Sequence, residues 1–280
     1  MNAIETRIVL CCTILLFFAP KHGFAETTKS TEQYLAEFKQ ALGLHERRHL
    51  VKEVFSLPDV KKKKEILLKV AYFLNDFLAE RINTRKMDDE YYQYQEFGNM
   101  VVWTLVYQHL PTDPKEFLPL EAKELEPLLG QPLPITPEEY LPVLIGSQIV
   151  GEEANGIITS GGEKSVVPLV NQYDRYRTMK YLAGMRHGII GYLDTIYLRW
   201  PLDTIHKELI YKTFISALDD PYWGVRELAV DCLIDKPTIK PDHLNKIKDL
   251  AKNDPGQYEG KYVVRDAAIK LLKKHGIEIK

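Results

Sequence analysis

Little in this chain can crosslink, carry net charge or cross a membrane, and each shortage removes a class of protein. There are three cysteines in 280 residues, two of them (Cys11 and Cys12) inside an apolar leader. Once that leader is removed only Cys232 remains, so an oxidising compartment adds no internal disulfide and stability rests on packing. Cys232 aligns with Leu271 on an inward position, which reads as a small core hydrophobe. The formal charge is only -2, which gives nucleic acid no electrostatic footing as the main ligand. Apart from the leader no apolar run approaches membrane-spanning length. Nor does any run combine alternation, β-branched enrichment and turn signals into a strand. No serine-histidine-aspartate arrangement is supported locally, and no cofactor is expected.

What is present begins with export. Arg7 precedes "IVLCCTILLFFA" (Ile8 to Ala19), followed by Pro20, a polar stretch and Gly23 and Ala25 at the positions a signal peptidase reads. Residues 1–25 are therefore expected to form a Sec-type signal peptide cut after Ala25, with an uncleaved anchor as the alternative because Glu5 weakens the positive region. The mature chain is expected to be periplasmic or secreted, and not integral to the membrane. From 26 to 110 three amphipathic helices are predicted. Thr31 opens the first, with Leu35, Phe38 and Leu42 on one face. Asp59 caps the second, whose stripe of Leu67, Ala71, Leu74, Leu78 and Ile82 is widened by Ile66, Val70, Phe73 and Phe77. The third, from about Asp88 to Leu110, carries Tyr91, Tyr94, Gly98, Val101, Val102 and Leu105. The run Lys61 to Lys64 spreads around a helix and reads as solvated surface.

Between 111 and 142 lie half of all the prolines. Each fixes φ and removes a donor, so this stretch is expected to be an irregular connector between two helical halves. Helical patterning resumes from Tyr140, and 143–280 is expected to hold helical repeats. "NGIITSGGEKS" (Asn155 to Ser165) is not a phosphate loop, because Gly162 stands where lysine is required; it reads as a plain loop. Gly184, Gly188 and Gly191 lie on one stripe of a later helix, where close approach of another backbone is expected.

The chain matches itself. "WGVRELAVDCL" (Trp223 to Leu233) overlays "YVVRDAAIKLL" (Tyr262 to Leu272), pairing Val225 with Val264 and Arg226 with Arg265. Each copy follows an Asp-Pro turn, Asp220-Pro221 and Asp254-Pro255, suited to a helix start. The unit of helix, Asp-Pro turn, Val-Arg and helix resembles the HEAT repeat, in particular the bacterial HEAT-like type found in phycobilin lyases. The resemblance covers about 205 to 277, and the second copy is lengthened around "GQYEG" (Gly256 to Gly260). It implies an all-α fold, a superhelix of helical hairpins preceded by an N-terminal helical region. It also implies that Arg226 and Arg265 tie neighbouring repeats, with Asp220 and Asp254 as acceptors. Such folds usually present surfaces to partners, so the function expected is non-catalytic protein-protein binding in the cell envelope.

One motif points elsewhere. His45-Glu46-x-x-His49 is the zinc-protease pattern, with two imidazoles on one helix face and a glutamate as base. Arg47 and Arg48 sit where such enzymes carry uncharged residues, no Gly-x-x-His follows, and no obvious glutamate motif supplies a third ligand downstream, Glu65 and Glu80 being no more than candidates. About twenty mature residues precede the motif, too few for the sheet that carries the substrate cleft in those enzymes. A zinc-dependent hydrolase using His45, Glu46 and His49 is thus the alternative to a binding protein, and a solvated helix face is the simpler reading.

Overall fold

A computed structural model describes residues 29–41, 43–106, 133–147, 152–236 and 239–278. The stretch read as a signal peptide, with Ala25, lies outside the described residues, as do 111–132 of the proline-rich connector. The described residues form twelve α-helices: α1 Thr31–Gln40, α2 Leu44–Ser56, α3 Val60–Asn83, α4 Asp89–Val106, α5 Pro137–Gly146, α6 Glu152–Ser160, α7 Glu163–Tyr176, α8 Ala183–Arg199, α9 Thr204–Ala217, α10 Trp223–Ile234, α11 Pro241–Asn253 and α12 Val263–Lys274. The fold is all-α; among the described residues β pairing is confined to one isolated bridge, Tyr258 with Lys261.

Local chemistry sets several helix starts. The Ser30 hydroxyl accepts from the Gln33 amide at 3.1 Å while the Gln33 side chain accepts from the Ser30 amide at 2.6 Å, a reciprocal capping box. Asp59 accepts from the Lys62 amide at 3.1 Å at the head of α3, and Asp203 accepts from the His206 amide at 2.8 Å at the head of α9. Each satisfies an amide that the helix leaves unpaired.

Three helical hairpins, α7/α8, α9/α10 and α11/α12, stack in sequence. Their second helices α8, α10 and α12 lie side by side, and α7 packs on α9. The middle hairpin is covered on both sides, and α10 buries residues around most of its girth, from Val225 and Ala229 to Cys232 and Ile234. Among the described residues the last hairpin packs on one neighbouring hairpin. It is accordingly one-sided, with Ile247, Leu250 and Ala251 buried on α11 and lysines on its outer surface, as a terminal repeat must be. The N-terminal helices join this stack through α5, which packs on α3, α4 and α7. There the Asn75 amide donates to the Val143 carbonyl at 2.8 Å, and Lys64 reaches Glu139 at 2.8 Å.

The structure departs from the sequence expectations in several places, beginning with four helices, not three, between 26 and 110. Most of the supposed loop Asn155–Ser165 is helix, α6 running to Ser160 with a turn only at Gly161–Gly162, because Ala154, Ile157 and Ile158 bury against the core. Helix α5 starts at Pro137, inside the stretch read as connector; proline is welcome in a first turn. The lysine run is not simply solvated, since Lys63 is buried and Lys64 bridges to α5. Finally, a Cβ added at Gly184, Gly188 or Gly191 would meet nothing within 4 Å, so no backbone of the described residues approaches that stripe.

Candidate functional site

Helix α2 carries the zinc-like pattern. His45, Glu46 and His49 are exposed and border an open depression that Glu37 and Gln40 of α1 also line. Arg47 falls on the opposite face and Arg48 to one side, as a 3.6-residue period requires. Arg47 is buried, its guanidinium 3.6 Å from the centroid of the Tyr94 ring and donating to the Ala41 carbonyl at 2.9 Å. Arg48 pairs with Glu96 on α4 at 3.2 Å. The two arginines thus anchor α2 onto α4. Glu37 points its carboxylate at Lys29, 2.8 Å away, and Glu65 pairs with Lys69 at 3.1 Å. Among the described residues no trio of His, Cys, Asp or Glu converges on His45 and His49.

The repeated Val-Arg turns build a buried ladder. Arg226 donates through Nε and Nη2 to the Asp254 carboxylate at 2.7 and 2.9 Å, and through Nη1 to the Asp220 carbonyl at 2.7 Å. Asp254 also accepts from the Gly256 amide at 2.7 Å. The same constellation recurs one hairpin earlier, built by a residue the sequence reading passed over. Arg186 donates through Nε and Nη2 to Asp220 at 2.7 and 2.9 Å and through Nη1 to the Tyr176 carbonyl at 3.1 Å and the Met179 carbonyl. Asp220 in turn accepts from the Tyr222 amide at 2.9 Å. Arg265, in the last hairpin, donates to the Asp254 carbonyl at 2.6 Å and stacks on Tyr262. Val225 and Val264 are buried beside these turns, while Pro221 and Pro255 follow the two acceptor aspartates. Tyr173 donates to Asp220 at 3.3 Å, and burial, reinforced by that carboxylate, pushes its hydroxyl well above the usual range. Arg186 and Asp220 have no exposed side-chain surface; they fasten hairpin to hairpin and reach no ligand.

A cleft that spacing alone does not reveal opens where α5, α7 and the start of α9 meet. Glu163 begins α7, Asp203 caps α9 and His206 lies one turn in. The His206 Nδ1 is 2.8 Å from Asp203 Oδ1 and 3.5 Å from Glu163 Oε1. This is the one trio of metal-type ligands among the described residues whose ligand atoms lie within 4.8 Å of one another. Those separations suit the edges of a tetrahedral metal site, but the Asp203 carboxylate already serves the His206 amide and ring. These bonds, the backbone amide first, hold its carboxyl below the usual range. The adjoining cavity, about 500 Å³, is walled by Pro142, Val167 and Pro168 and rimmed by Glu138, Glu163 and Lys164. Val167 in its wall is exposed, as is Trp200 near the head of α7. Trp200 lies over Gly162, where an added Cβ would come within 2.8 Å of the indole.

Cys232 is free and buried, and burial pushes its thiol far above the reactive range. Among the described residues no helix is long and apolar enough to cross a membrane. No family model matches the chain, and neither a curated protein nor a solved structure matches it.

Proposed function

We propose that this chain is a HEAT-like helical-repeat protein of the bacterial type, exported to the periplasm or beyond, that works by binding a protein partner and not by catalysis. The observation that supports it best is the recurrent tie, Arg186 to Asp220 and Arg226 to Asp254. The same side-chain fork fastens successive hairpins, as repeat arrays need when one hairpin cannot bury both its faces. A stack of this kind leaves a long, fixed surface, which suits recognition. The zinc-hydrolase alternative lacks a third ligand among the described residues: His45 and His49 share an open depression with a glutamate that is already paired.

The test is quantitative capture from the cell envelope, with residues 26–280 as bait. A protein recovered in stoichiometric amount, resistant to moderate salt, supports the reading. Hydrolysis of peptides or esters by the purified chain, abolished by the His45→Ala, His49→Ala double variant, contradicts it.

A further inference from the structure

The cleft between α5, α7 and α9 has the chemistry of a receptor for a cationic side chain set among apolar ones. Its walls are apolar: Pro142 on α5, and Val167 and Pro168 on α7. Val167 is 45% exposed. An apolar side chain left in water costs free energy, and packing against α5 does not cover this one.

Its rim is rich in acceptors. Glu138 and Glu163 bring two carboxylates to its lining, against one ammonium, Lys164, held 3.4 Å from Glu138 with both side chains largely in solvent. Two further acceptors come from the backbone. Pro142 and Pro168 lie inside their helices and carry no N–H. The carbonyls of Glu138 and Lys164, one helical turn earlier, therefore have no amide four residues on to take. Both residues line this cleft. A proline inside a helix is costly, roughly 3 kcal/mol against alanine, and here two facing helices carry one each, turned to the same cavity.

We infer that this apolar, acid-rimmed cleft docks a short extended segment of a protein partner that carries an arginine or lysine flanked by apolar residues. The basic group takes the carboxylates of Glu138 and Glu163, displacing Lys164 from its loose pairing, while the flanking side chains cover Pro142, Val167 and Pro168. Opposite charge steers such a segment in, and the apolar contacts hold it. The inference rests on the binding-protein reading above and names the partner's chemistry.

The experiment uses the intact mature chain and three fluorescein-labelled peptides with Leu-Arg-Leu, Leu-citrulline-Leu and Leu-Glu-Leu cores, followed by fluorescence anisotropy. The arginine peptide is expected to bind saturably, at least about tenfold more tightly than the glutamate peptide, with citrulline between them. Glu163→Lys and Val167→Asp, both at exposed positions and checked for an unchanged melting temperature, should each weaken binding about tenfold. Equal binding of the arginine and glutamate peptides overturns the inference. So does saturable binding indifferent to both variants, or no saturation by any peptide. Stoichiometric uptake of zinc chloride that is lost in His206→Ala also overturns it, by assigning the trio to a metal. Envelope capture separates the two levels. A partner taken equally by wild type and Glu163→Lys preserves the binding-protein reading and removes this cleft from it. Peptide binding by a chain that captures no protein does the reverse.

Discussion

At the scale of single residues, the ties between hairpins are the most consequential feature. Removing one partner of a fully buried ion pair strands the other, which costs about 3–5 kcal/mol. Arg186→Ala should therefore lower unfolding free energy by roughly that amount in a denaturant titration. Arg226→Ala should cost less, because 11% of its side chain is exposed and water can replace part of the bond. Arg186→Lys should recover little, since a single ammonium cannot reproduce the two-pronged contact with Asp220. Unchanged stability in Arg186→Ala would show that these bonds do not fasten the stack. Arg226 and Arg265 are legible in the sequence because aromatic, valine and alanine positions around them repeat in step. Arg186 is not, because Met185 and His187 replace the flanking valine and acid, and no Asp-Pro turn precedes it. Only its acceptor, Asp220, belongs to the visible motif.

Acidity offers a second test at this scale. Desolvation, and then the neighbouring Asp231 carboxylate, raise the Glu227 carboxyl above its ordinary value. An acid whose folded pKa is raised disfavours the fold once it ionises, and the penalty vanishes at pH values below its unfolded pKa. Glu227→Gln should thus raise the melting temperature at pH 7. That gain should shrink as the pH falls through the carboxylate range; a gain independent of pH would contradict the assignment.

At the scale of elements, the glycines of α8 behave unlike packing glycines. Gly188 and Gly191 sit in helix interiors with open space where a Cβ would project. Gly188→Ala and Gly191→Ala should each stabilise the chain by about 0.5–1 kcal/mol, read as a shift in denaturant midpoint. Loss of stability would mean that the stripe is covered after all. Helix α6 shows why such elements escape sequence reading. "NGIITS" has weak helix formers and a glycine, so local preference argues for loop, yet Ala154, Ile157 and Ile158 bury together and tertiary packing prevails. The cleft escaped for a different reason. Glu163 and His206 come from different hairpins and meet only when α7 packs on α9, and no spacing within one segment encodes that meeting.

At the scale of the whole molecule, the long apolar stripe of α3 was legible as a helix needing neighbours on more than one side, and α4, α5 and α1 supply them. What the sequence did not disclose is that α5, inside the proline-rich stretch, joins the N-terminal helices to the hairpin stack through Asn75 and Lys64. The chain is all-α, with one contiguous core among the described residues, and its repeated ties are turned inward. On that arrangement rests the proposal of a surface for a partner in place of a reaction centre. Native mass spectrometry of the chain isolated from its own cells tests this most directly. The account predicts a complex of the chain, lacking residues 1–25, with a second protein and with no bound zinc. A lone chain carrying one zinc ion, lost when His45 and His49 are both replaced by alanine, would contradict it.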